Sequence, residues 1–89
     1  MIDNSNGASW ILQNAKTLRV GAKLSMSKLS GLAQVSRDSI SKVEKSLPVS
    51  EIVIEKIFSA LNTAHKGNLN RDSHVKHADE KYKNKHTQE

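Results

Sequence analysis

Apolar positions recur at helical spacing in four separate stretches of the chain, and three of these stretches are preceded by a serine. Ile11, Ala15, Leu18 and Ala22 follow one another at intervals of four, three and four, which predicts a first helix from about Ser9. Leu29 and Ala33 lie four apart after Ser25, and Ile40 and Val43 lie three apart after Ser36. After Ser50, the residues Val53, Ile54, Ile57, Phe58 and Leu61 line one side of a longer helix. A serine in such a position can accept a hydrogen bond from a first-turn N–H that has no partner within its own helix. Helices this short do not persist alone, so they must share a core. The expected fold is all-α, a compact domain of four to five helices over residues 9–64. Trp10, just ahead of the first stripe, reads as a lid on the core edge or as a base-stacking ring.

On either side the pattern fades. Residues 1–8 are polar, with Asn4, Ser5, Asn6 and Gly7 in succession, and read as a flexible lead-in. Residues 65–89 are dominated by Lys, His, Asn and acidic side chains. Val75, Ala78 and Tyr82 make only a thin stripe there, so this part reads as a basic tail, disordered or marginally helical.

The middle of the chain, Ser25–Lys45, carries two short helices separated by a break of a few residues. The second has an outward side of Arg37, Asp38, Ser39, Ser41 and Lys42, none of which the core requires. Two helices in this arrangement read as a helix-turn-helix whose second helix is free to enter a DNA major groove.

Charge and composition narrow the options further. The formal net charge of +5 over 89 residues fits a polyanionic partner. The absence of cysteine leaves neither a disulfide framework nor a thiolate metal site and suits a reducing cytoplasm. The longest apolar run, Ile52-Val53-Ile54, is far too short to span a bilayer, and no signal-peptide pattern opens the sequence, so no membrane partner is expected. His65, His74, His77 and His86 cluster in the tail, but a tetrahedral zinc site wants four ligands on a fixed frame, which a loose tail lacks. No glycine-rich phosphate loop or Ser/His/Asp constellation is visible. The expectation is therefore a protein that is not an enzyme and holds no metal or cofactor.

Leu24-Ser25, Leu29, Ala33, Val35-Ser36, Ile40-Ser41 and Val43-Glu44 fall at the spacing of a known pattern, with Leu18-Arg19 upstream and Pro48, Ile57, Ala60 and Leu61 downstream. Over about residues 11–62 the chain resembles the Cro and lambda-repressor type (XRE-like) helix-turn-helix family. The resemblance implies a lambda-repressor-like domain that binds double-stranded DNA sequence-specifically. It further implies a transcription regulator, most often a repressor, acting as a homodimer on an inverted-repeat operator in a bacterial or phage-infected cytoplasm.

Residue by residue, the resemblance places Ser36, Arg37, Asp38, Ser39 and Lys42 at the base edges. It places Lys23, Ser25, Ser27 and Lys28 at the phosphate backbone. It also implies that Arg19 and Glu44 form an ion pair fastening the first helix to the second helix of the motif. An arginine can fork onto the two acceptors of guanine, whereas an aspartate can accept from a cytosine amino group or simply stabilise the first helical turn. Lys45 reads as solvated. Departures from the family pattern are Met26 for a buttressing glutamine, Lys28 for a capping-box glutamate, Gln34 for a turn glycine and Lys23 for a C-cap glycine. The last predicts either a strained Lys23 or a turn shifted toward Gly21. Two other readings remain: an antitoxin whose tail folds onto a protein toxin, and a protein-interaction module of this fold that has lost DNA binding, to which Met26 and Asp38 point.

Overall fold

Serine caps open the three central helices. The computed structural model describes residues 10–78. In chain order these form β1 (Trp10–Leu12), α1 (Ala15–Gly21), α2 (Met26–Ala33), α3 (Arg37–Glu44), α4 (Glu51–Ala64), α5 (Arg71–His74) and β2 (Val75–His77). Ser25 accepts the Lys28 N–H at 3.0 Å, Ser36 the Ser39 N–H at 3.1 Å, and Ser50 the Val53 N–H at 3.3 Å. Each bond satisfies one of the first-turn donors that a helix leaves unmatched. The fold is mostly helical, with α2, α3 and α4 burying Leu29, Ala33, Ile40, Val43, Ile54, Ile57, Phe58 and Leu61 against one another.

A small sheet closes this core and corrects the reading of both flanks. The helix expected from Ser9 begins only at Ala15. Before it, Trp10–Leu12 is a strand paired antiparallel with Val75–His77, in the register Trp10 to His77, Ile11 to Lys76 and Leu12 to Val75. The other edge of β1 is also occupied: Trp10 N–H donates to Val49 O at 2.9 Å and Val49 N–H returns a bond to Trp10 O at 2.8 Å. Asn14 has φ 64°, a left-handed conformation that separates strand from helix and that asparagine tolerates better than most residues. The four-residue interval from Ile11 to Ala15 therefore joins a strand to a helix. It also hid Leu12, which is completely buried.

The supposed tail, as far as residue 78, is part of the body. Leu69 packs on the core and its N–H donates to Asn62 Oδ1 at 2.9 Å. Arg71 reaches back to Glu55 of α4, its Nε 2.9 Å from Oε2, and this hydrogen bond raises the arginine pKa further above its ordinary value. Val75 and Ala78 are buried. The histidines of this segment line its seam with the N-terminal half. His65 Nε2 lies 2.8 Å from Leu18 O, His74 Nδ1 lies 3.4 Å from Gln13 O, and the His77 ring meets Trp10 edge-on at 4.7 Å. The physical reason is that β1 needs partners for its backbone on both edges: Val49 bonds one, and the segment returning from beyond α4 supplies the other. The lead-in at 1–8 and the segment from 79, Tyr82 and His86 included, lie outside the described residues. Among the described residues no helix is long and apolar enough to cross a membrane.

Candidate nucleic-acid interface

The connection between α2 and α3 is three residues long. Gln34 takes φ 59° and ψ 46°, so the chain turns through a left-handed residue where glycine would be unstrained. Ser30 Oγ–H donates to Val35 O at 2.5 Å and ties the end of α2 to this turn. α3 then departs with Ile40 and Val43 inward, leaving Arg37, Asp38, Lys42 and Lys45 exposed and Ser41 half-exposed.

Behind α3, Arg19 grips Glu44 at two points: Nε lies 2.5 Å from Oε2 and Nη2 lies 3.2 Å from Oε1. The remaining amine, Nη1, donates to Leu24 O at 2.8 Å. The two side chains keep only 12% and 9% of their exposure. One arginine thus joins α1, the α1–α2 turn and the end of α3. A carboxylate at a helix C-terminus opposes the macrodipole, and the guanidinium answers that charge directly.

Of the five residues assigned to base edges, Ser36 is the cap of α3, Arg37, Asp38 and Ser39 form its first turn, and Lys42 stands in its last turn, and their side chains differ in what they have left to offer. Ser36 and Ser39 are 3.1 Å apart, hydroxyl to hydroxyl, and the Ser36 oxygen also holds the cap. Ser39 is half-buried, at the edge of the outward side rather than on it. Asp38 and Lys42 pair with each other, 3.5 Å from carboxylate to ammonium, while remaining 77% and 53% exposed. Arg37 is exposed and forms no ion pair with any described residue.

Four further residues precede α2 or form its first turn. Lys23, Ser25, Ser27 and Lys28 are all exposed, and neither lysine has an ion-pair partner among the described residues. Lys23 has φ 62° while Gly21 remains the last residue of α1, so the strain settles on Lys23 and the turn does not shift. Ser25 uses its oxygen as a cap and retains a hydroxyl proton to donate.

A separate cleft has a volume of about 270 Å³. Lys16, Met26, Ser41, Glu44 and Lys45 line it, so the starts of α1 and α2 and the end of α3 meet there. Lys16 and Lys45 are exposed and without ion partners among the described residues; the sequence reading left Lys16 out and took Lys45 as solvated. The signal for Lys45 was its interval of four from Ser41, which puts the two on one face. Lys16 could be placed only once α1 was known to start at Ala15.

A larger groove of about 500 Å³, lined by Leu32, Ala33 and Gln34 and by α4 from Glu55 to Ala64, includes no residue of α3. Leu32 stands 54% exposed at its rim. Among the described residues no three histidine, cysteine or acidic side chains converge as metal ligands would. No protein-family model matches this chain, nor does any curated protein or solved structure.

Proposed function

We propose that this chain is a lambda-repressor-like helix-turn-helix protein that binds duplex DNA sequence-specifically and regulates transcription, as a repressor, by placing α3 in the major groove. The observation that carries this reading is the outward side of α3. It is polar and exposed, serves no packing role, and leads with the unpaired Arg37. A major groove is wide enough for one helix, and arginine is the side chain best suited to guanine's two acceptors. The unpaired lysines around the start of α2 and the cleft, Lys16, Lys23, Lys28 and Lys45, supply backbone contacts that set register without reading sequence. Serine hydroxyls at Ser25 and Ser27 add neutral contacts to the same strand.

The test is selection from a random pool of duplexes, followed by fluorescence anisotropy on the selected and a scrambled duplex at several salt concentrations. Preference for the selected duplex at physiological salt is expected. Log affinity should fall linearly with log salt, by roughly 0.9 per phosphate neutralised. An inverted repeat among the selected sequences is the outcome expected of a homodimer. Equal affinity for both duplexes would reduce the reading to nonspecific attraction of a basic protein for a polyanion.

A further inference from the structure

Asp38 is an unexpected residue to find on a surface that meets DNA, since a lone carboxylate repels every phosphate near it. It is not alone. Its carboxylate lies 3.5 Å from the Lys42 ammonium, one helical turn onward, and both side chains point out from α3. The pair is an acceptor and a donor set side by side. The exposed major-groove edge of a base pair is the complementary object. The amino group and the carbonyl that pair with each other across its centre are about 2.9 Å apart, an ordinary N–H···O distance. We propose that Asp38 and Lys42 read one base pair as a unit, with Asp38 accepting from the amino group of one base and Lys42 donating to the carbonyl of its partner. This rests on the DNA-binding reading above and adds to it a specificity-determining residue and its target.

The chemistry ranks the four base pairs. With cytosine under Asp38 and guanine under Lys42, the carboxylate accepts from cytosine N4 and the ammonium finds guanine O6 with N7 beside it. With adenine under Asp38 and thymine under Lys42, the same donor and acceptor are present, but the neighbours are unfavourable. Adenine N7 turns a lone pair toward the carboxylate, and the thymine methyl stands beside the ammonium. Reversing either pair puts an acceptor under the carboxylate and a donor under the ammonium, so both contacts fail. The order expected is C·G first, then A·T, with G·C and T·A last. Because the two charges cancel, the pair adds little to affinity for arbitrary DNA and acts mainly on choice.

The experiment uses the full chain and its selected duplex, each position replaced in turn by all four base pairs, with binding followed by competition anisotropy. For the wild type, one position should show the order given, with about a tenfold or larger gap between C·G and G·C. Asp38→Ala should flatten that position to threefold or less, raise affinity for scrambled DNA, and steepen the salt slope by about 0.9 as Lys42 becomes free for a phosphate. Exchanging the two residues, Asp38→Lys with Lys42→Asp, should invert the preference to G·C at the same position. If Asp38→Ala strengthens binding to every duplex alike and leaves the four-way order intact at all positions, Asp38 is only an electrostatic brake and the proposal fails. If the wild type shows no preference at any position, the DNA-binding reading fails first, and that is seen before any variant is compared.

Discussion

The inner and outer sides of α3 each hold an ion pair, and the two pairs have opposite fates. Inward, Glu44 is held by Arg19 at two points, with the same arginine bonded to Leu24 O, and water has been almost excluded. Outward, Lys42 and Asp38 face each other at 3.5 Å with most of their surface still wet. The inner pair crosses from one helix to another, and each charge depends on its partner because solvent cannot replace it. The outer pair lies within a single helix, where either charge would be hydrated just as well alone. Similar charges thus serve architecture on one side and remain available for a ligand on the other. Burial decides which, more than residue type does.

This contrast can be broken from the inner side, and the largest effect is expected where the whole closure is removed. Truncation after Gly67 deletes Leu69, Val75 and Ala78 and strips β1 of its ladder. Val75 alone contributes about 1.5–3 kcal/mol, half-buried Leu69 and small Ala78 add less each, and with the lost strand pairing the total is a large share of the stability of a small domain. The truncated protein should be largely unfolded at room temperature by circular dichroism. A truncated chain that melts like the intact one would mean that the sheet is ornamental.

Next in size is Glu44→Ala, expected to cost about 3 kcal/mol by leaving Arg19 nearly buried without its partner, somewhat less for the solvent that still reaches it. A double-mutant cycle with Arg19→Ala, read from urea midpoints, should be strongly non-additive; additive losses would separate the two residues. Smaller again is Gln34→Gly. A left-handed conformation costs an ordinary residue about 1–2 kcal/mol, and part of the gain is returned through the greater freedom of glycine in the unfolded chain. A net stabilisation of about 0.5–1 kcal/mol is expected, and a loss would show that Gln34 is not strained. Smallest is Lys42→Ala, where the stability derived from the midpoint should change by no more than about 0.5 kcal/mol. A loss comparable with that of Glu44→Ala would erase the distinction between the two sides.

Much of the inner side was legible from sequence. Serines at 25, 36 and 50 mark the starts of α2, α3 and α4 because a cap is a local event involving residues three apart. At Lys23, where the family pattern has a glycine, the sequence left two outcomes open, a strained lysine or a turn shifted toward Gly21, and the positive φ of Lys23 decides for the first. The strands were not legible. Three residues carry no usable period, and Leu12 meets Val75 from the far end of the described chain, so nothing local to either announces the other. The thin stripe that includes Val75 and Ala78 was read as a disordered or marginally helical tail, whereas Val75 lies on a strand and Ala78 just after it, both buried. At the candidate interface, the positions of Ser36 to Lys42 followed from the helix start, but not what their side chains were doing. Ser39 turned out to be engaged with Ser36, and the Asp38–Lys42 contact needed only their spacing of four to be foreseen.

The most direct measurement compares Arg37→Ala with the wild type on the selected duplex and its single-base-pair variants, alongside thermal melts of both proteins. Arg37 lies on the outer side with no ion-pair partner among the described residues, so the melting temperature should stay within a few degrees. Affinity for the selected duplex should drop by about 1–3 kcal/mol, with preference lost at one base pair and kept at the others. An unchanged preference profile, or a uniform weakening across all sequences, would contradict the assignment of α3's outer side to base reading.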